Sequence, residues 1–228
     1  MKTVATAKAN KLCIYCQKAV ADTQDHVPPK LLFPKPRPGN LATVPCCNIC
    51  NGRFEMDDEY FRLTLTSRLE VSSNREAVSA NTTAIRGLDR AESEGFRFAF
   101  MSSIVAISPA GDPVREQDNS RVQATVTRII KGLFYHQTGR PLPREYEANA
   151  FEVEDTPEMM PPQLYEVWET LKTCPQQDIR NMFSYRFYVM SANPNCSWWL
   201  MQFYESILFM GLTRRTEGKG RPLPSDAS

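Results

Sequence analysis

Apolar and polar positions divide the chain into segments of different period. From Asp118 to Thr138, Val122, Val126, Ile129, Ile130, Leu133 and Phe134 recur at helical spacing, so an amphipathic helix is expected there, with Gly139 ending it. Phe183 to Met190 and Ser197 to Tyr204 are short β-rich runs joined by a Ser-Ala-Asn-Pro-Asn turn. A third run, Ile207 to Thr213, completes an antiparallel meander. Tyr146 to Val153 reads as a further short strand, and Pro161-Pro162 introduce a helix over Gln163 to Thr173. Phe96 to Ile107, FRFAFMSSIVAI, alternates in its first half, which favours a strand over a helix. Val71 to Ala91 is polar, with Ser72-Ser73-Asn74 and Asn81-Thr82-Thr83 as candidate N-caps.

The first 70 residues follow another pattern. Asp25-His26 precede Val27-Pro28-Pro29, whose prolines disfavour helix, so His26 is expected at the end of an extended segment. Leu41 to Pro45 is a second short extended run. Beyond Asn48 the pattern turns helical, with Asn51, Glu55 and Asp58 at i, i+4 and i+7 on one face. The order is strand, loop, strand, helix.

Cysteine spacing frames that order. Cys13 and Cys16 are two residues apart, as are Cys47 and Cys50. A two-residue spacer lets both thiolates of a pair reach one metal at about 2.3 Å, and two pairs complete a tetrahedral zinc site. Cys46 with Cys50 is an alternative second pair, though the spacing favours Cys47. A zinc ligated only by thiolates has no open position, so its expected role is structural. Neither pair follows a strand in a βαβ pattern, which argues against a redox motif. Cys174 and Cys196 are expected as buried free thiols.

The arrangement CxxC, Asp-His, Asn, CxxC-Asn over about residues 12–65 resembles the HNH endonucleases, in the branch whose ββα-metal fold is pinned by a four-cysteine zinc. The resemblance implies a metal-dependent hydrolase of phosphodiester bonds. His26 is then the general base, Asp25 a ligand of the catalytic cation, Asn40 the residue orienting loop and base, and Asn51 the second ligand. Asn51 stands where many relatives have His, and oxygen ligands suit Mg²⁺ or Mn²⁺. Glu55 or Asp58 could add a third ligand or an outer contact; the plainer alternative is a solvated acidic helix face. DNA is the first expected substrate and RNA the second. A different class, a non-catalytic zinc-stabilised module that binds nucleic acid or protein, stays open because of Asn51, and a purely structural subunit is the third reading.

Composition adds limits. The 228 residues carry a formal net charge of +1, so the chain as a whole is no basic nucleic-acid coat. Positive charge is local: Lys30, Lys35 and Arg37 crowd the loop after His26, and Arg53 opens the helix, where a phosphate backbone would pass. No run of 18 apolar residues predicts a membrane span. The segment MKTVATAKANKLC has no apolar core of the secretory kind, and the cysteine usage suits a reducing cytoplasm. The expected class is α+β: a lead-in at 1–11, a zinc-pinned ββα module at 12–72, a junction near 72–79, and an α+β domain at 80–213 with an antiparallel sheet and two longer helices. A disordered Pro/Gly-rich tail follows at 214–228. The second half is expected to supply target recognition or a homodimer contact. Its Trp168, Trp198 and Trp199 are expected in core packing, and His136 is expected to be structural or to contact phosphate.

Overall fold

A computed structural model describes residues 11–216 except 91, 92, 110, 112, 155 and 157–159. Most of the expected lead-in and all of the expected tail beyond Thr216 lie outside the described residues. The class is mixed α+β with antiparallel sheets.

Strand β1 (Thr23–Val27) pairs antiparallel with β2 (Ala42–Cys46), in a register that sets Asp25 opposite Val44 and His26 opposite Thr43. Helix α1 (Asn48–Thr66) starts directly after β2, with Cys47 as its N-cap residue. Helix α2 (Arg75–Leu88) begins where a junction was expected. The Asn74 side chain accepts from the backbone N–H groups of Glu76 and Ala77, which satisfies two otherwise orphaned donors. Its buried stripe is Ala77, Ala80, Ala84 and Leu88, too small-sided to stand out as a hydrophobic run.

The Phe96–Ile107 segment corrects the expectation of a strand. It forms helix α3 (Glu94–Ser102) and then strand β3 (Ile104–Ile107), paired with β4 (Pro113–Arg115). Alternating phenylalanines fit either period. Phe96 and Phe100, four apart, stack at 6.3 Å between ring centroids, while Phe98 is left exposed.

Helix α4 (Asn119–Thr138) is capped by Asp118 and ends at Gly139, whose φ of 71° is a conformation glycine adopts without steric cost. Five antiparallel strands follow in the order β5-β9-β8-β7-β6: β5 (Tyr146–Val153), β6 (Gln177–Ile179), β7 (Phe183–Val189), β8 (Ser197–Phe203) and β9 (Ile207–Arg215). Helix α5 (Pro162–Thr173) covers one face through Trp168 and Leu171, which pack with Leu200, Leu208 and Met210. Trp199 is fully buried and Trp198 half-buried. Arg214 and Arg215, assigned from sequence to the tail, continue β9 opposite Glu147 and Tyr146. Cys174 and Cys196 are half-buried rather than buried.

Two long helices in the second half understate the helix content: α2 and α3 are also present, and α4 is the central one. It packs against α1 and the β1–β2 hairpin on one side and against β5 and β9 on the other. A Cβ at Gly132 would run into Val27, and one at Gly211 into Ile130, so helix and strands touch on both sides. One hydrophobic cluster runs from Ile14 and Val27 through Phe61, Ile130 and Phe134 to Phe209, crossing the expected junction without a break.

Candidate functional site

The first cysteine pair lies on a tight turn. Leu12 bridges Val20, the Cys13 N–H donates to Ala19 O at 2.9 Å, and Gln17 turns the chain with a φ of 52°. The second pair occupies the start of α1, where the Asn51 N–H donates to Cys47 O at 2.9 Å. Asp22 Oδ1 accepts from the exposed Asn48 N–H at 2.7 Å and ties the helix start to the residue that precedes β1. Cys13, Cys16, Cys47 and Cys50 bring their sulfurs within 4.8 Å of one another, and Cys16 and Cys47 are 3.9 Å apart. Tetrahedral zinc with bonds of about 2.3 Å places its sulfurs about 3.8 Å apart. The cluster can hold a zinc ion. The Ala19 and Lys18 backbone N–H groups bring the Cys16 thiol down to about 6, toward the ligating thiolate. Cys46 stays outside: its buried thiol is pushed up chiefly by desolvation and faces Cys47 O.

A second feature lies at the end of β1. A cleft of about 330 Å³ is lined by Asp25, His26 and Lys30 from the hairpin and by Asn51, Glu55 and Asp58 from α1. The α1 residues share a face because they are four and three residues apart. His26 is half-buried. Burial, followed by the positive charge of Lys30, lowers its pKa, so the neutral imidazole that can accept a proton predominates at neutral pH.

Asp25 is buried, and its two oxygens differ. Oδ2 accepts from the Tyr15 hydroxyl at 2.6 Å and from Arg128 Nη1 at 3.0 Å. Among the described residues no group donates a hydrogen bond to Oδ1, and it is not among the polar atoms there that are both sealed from solvent and unpartnered. Arg128, reaching in from α4, also pairs with Asp58 through Nη2 and lies 4.3 Å above the Phe54 ring. One guanidinium facing two carboxylates does not fully compensate both. Burial outweighs its attraction and raises Asp58 to about 7.

The remaining expected residues are spread more widely. Asn40 is exposed in the turn before β2 and does not line the cleft. Lys35, Arg37 and Arg53 are exposed but lie outside the cleft lining; Arg37 Nε donates to Lys30 O at 3.2 Å. His136 is exposed on α4. Among the described residues, the four cysteines are the one group of three or more His, Cys, Asp or Glu ligand atoms that converges. Asp25, His26, Glu55 and Asp58 share a cleft without meeting in a single cluster.

Sequence reasoning missed Tyr15 and Arg128. The apolar stripe of α4 predicts one covered face, but the helix is covered on two, and Arg128 lies on the second beside Thr125 and Gly132. A small residue and a hydroxyl flanking an arginine were the available signal. Comparison of this chain with family models, curated proteins and solved structures finds no match. No helix among the described residues is long and apolar enough to cross a membrane.

Proposed function

We propose that the chain is a metal-dependent endonuclease of the HNH type, hydrolysing phosphodiester bonds in DNA first and RNA second. The observation that carries the reading is one cleft at the end of a strand–loop–strand–helix unit. Asp25 and His26 line it from the strand, and Asn51 and Glu55 line it from the helix. The open Oδ1 of Asp25, the amide oxygen of Asn51 and the exposed carboxylate of Glu55 are a hard donor set that suits Mg²⁺ or Mn²⁺. Such an ion, when bound, supplies positive charge at the leaving oxygen. His26, kept neutral by its surroundings, takes the proton from the attacking water. Lys30 at the cleft, with Lys35 and Arg37 on the same loop, offers charge to the flanking phosphates. The zinc holds the two ends of the unit together and takes no part in the chemistry.

Plasmid nicking in Mg²⁺ or Mn²⁺ tests this, wild type against His26→Ala. The expected loss is about 100-fold or more. Equal cleavage by both proteins would remove His26 from the mechanism. A second reading, a zinc-stabilised binding module without catalysis, is favoured by the exposed Asn40, which stands away from the cleft. It predicts nucleic-acid or protein binding with no cleavage of any DNA or RNA substrate.

A further inference from the structure

Arg128 lies far from the hairpin in sequence, yet its buried guanidinium pairs with two of the carboxylates that line the cleft. Its side chain and that of Asp25 are 6% and 7% exposed, and its two terminal nitrogens are divided between Asp25 and Asp58. The Phe54 ring lies beneath its plane, and that ring meets Tyr15 edge-on at 5.1 Å. Tyr15 in turn donates to the same Asp25 oxygen that Arg128 holds. Arginine's planar fork suits this task, because it can hold two carboxylates in fixed directions where an ammonium acts as a point charge.

We propose that Arg128 and Tyr15 are positioning residues for a divalent-cation site. Together they grip Oδ2 of Asp25 and leave Oδ1 presented to the cleft beside Asn51 and Glu55. The inference rests on the metal-dependent reading above and goes beyond it in one respect. The cation site is completed by α4, an element outside the zinc-pinned unit, so that unit does not assemble the site by itself. Hydrogen bonding to the distal oxygen of a ligating carboxylate fixes its rotamer and direction, and loss of such a partner commonly costs about 10- to 100-fold in metal affinity.

The test is Mn²⁺ binding to the full chain, followed by electron paramagnetic resonance of the free ion, with no nucleic acid and no turnover. Zinc content and thermal midpoint are recorded on the same samples. Wild type is compared with Asp25→Asn, Tyr15→Phe, Arg128→Lys and Arg128→Met. Tyr15→Phe removes one hydroxyl and Arg128→Lys keeps the charge, so both guard against loss of folding in Arg128→Met, which strips the partner from buried Asp25 and half-buried Asp58. The expected result is Mn²⁺ binding by wild type, its loss in Asp25→Asn, and binding about 10-fold weaker in both Tyr15→Phe and Arg128→Lys with zinc retained. Unchanged affinity in those two variants would reduce the pair to structural packing and overturn the proposal. Tighter binding in Arg128→Met would show a competing cation instead, and would also overturn it. Wild type binding no Mn²⁺, or binding it as Asp25→Asn does, overturns the metal-dependent reading along with the proposal. Altered binding in the Tyr15 and Arg128 variants beside a failed nicking assay would retain the positioned site and discard only the nuclease.

Discussion

The four-cysteine cluster and the cleft beside it are built in opposite ways. The four sulfurs converge to within 4.8 Å, close to the spacing a tetrahedral ion imposes. The polar side chains of the neighbouring cleft line about 330 Å³ of space without converging, and buried Asp25 among them is paired with the guanidinium of Arg128. A closed set suits an ion that stays as part of the fold, whereas an open set suits an ion that shares its positions with water and substrate.

The contrast can be broken at several points. Replacing Cys13 and Cys16 together by serine should have the largest effect. Zinc should be lost, with about 4 kcal/mol or more of stability, read as a fall in thermal midpoint of roughly 8–16 °C. Retention of zinc in that variant would end the four-thiolate reading. Gly132→Ala pushes a methyl into Val27 and shifts β1 from α4, so it should cost about 1–3 kcal/mol in denaturant melts. Zinc content should be unaffected, which separates the hairpin's seat on α4 from its sulfur clamp.

Asp58 supplies a pH test. Its folded pKa of about 7 lies above the ordinary aspartate value of 3.8. The folded chain therefore binds more protons than the unfolded chain between those limits, and the contribution to stability grows as pH falls from about 7 toward 4. It is lost again as pH rises through 7. The stability of wild type minus that of Asp58→Asn should thus increase over that fall by about 1–3 kcal/mol, measured by urea melts at each pH. A flat difference would mean that Arg128 keeps both carboxylates charged. The smallest effect is expected at exposed Glu55, where Glu55→Ala should change stability by less than about 0.5 kcal/mol while weakening Mn²⁺ binding.

Much of this was legible in the sequence because the signals are local. The CxxC spacing, the prolines after His26, and the i, i+4, i+7 placement of Asn51, Glu55 and Asp58 act within one turn or one loop. Each appears in the structure as expected. The helix stop at Gly139 and the β7–β8–β9 meander are equally short-range. What escaped depends on contacts distant in the chain. Arg128 meets Asp25 across 103 positions, and nothing in the spacing of either residue announces the other. Phe96, Phe98 and Phe100 satisfied two periods at once, and packing of Phe100 selected the helical one. Asn40 shows the reverse case: a motif position recognised by order alone, whose side chain stands in solvent away from the cleft.

The large sheet also reaches the loop that follows His26. Tyr204, in the turn between β8 and β9, donates its hydroxyl to Leu32 O at 2.7 Å, and Arg180, between β6 and β7, donates to Pro36 O at 3.1 Å. Both turns are held in left-handed backbone, with φ values of 49° and 53° at those residues. Residues 11–72 transplanted to another scaffold would carry the four clustered thiols and His26, yet the lysine-bearing loop would arrive without its floor.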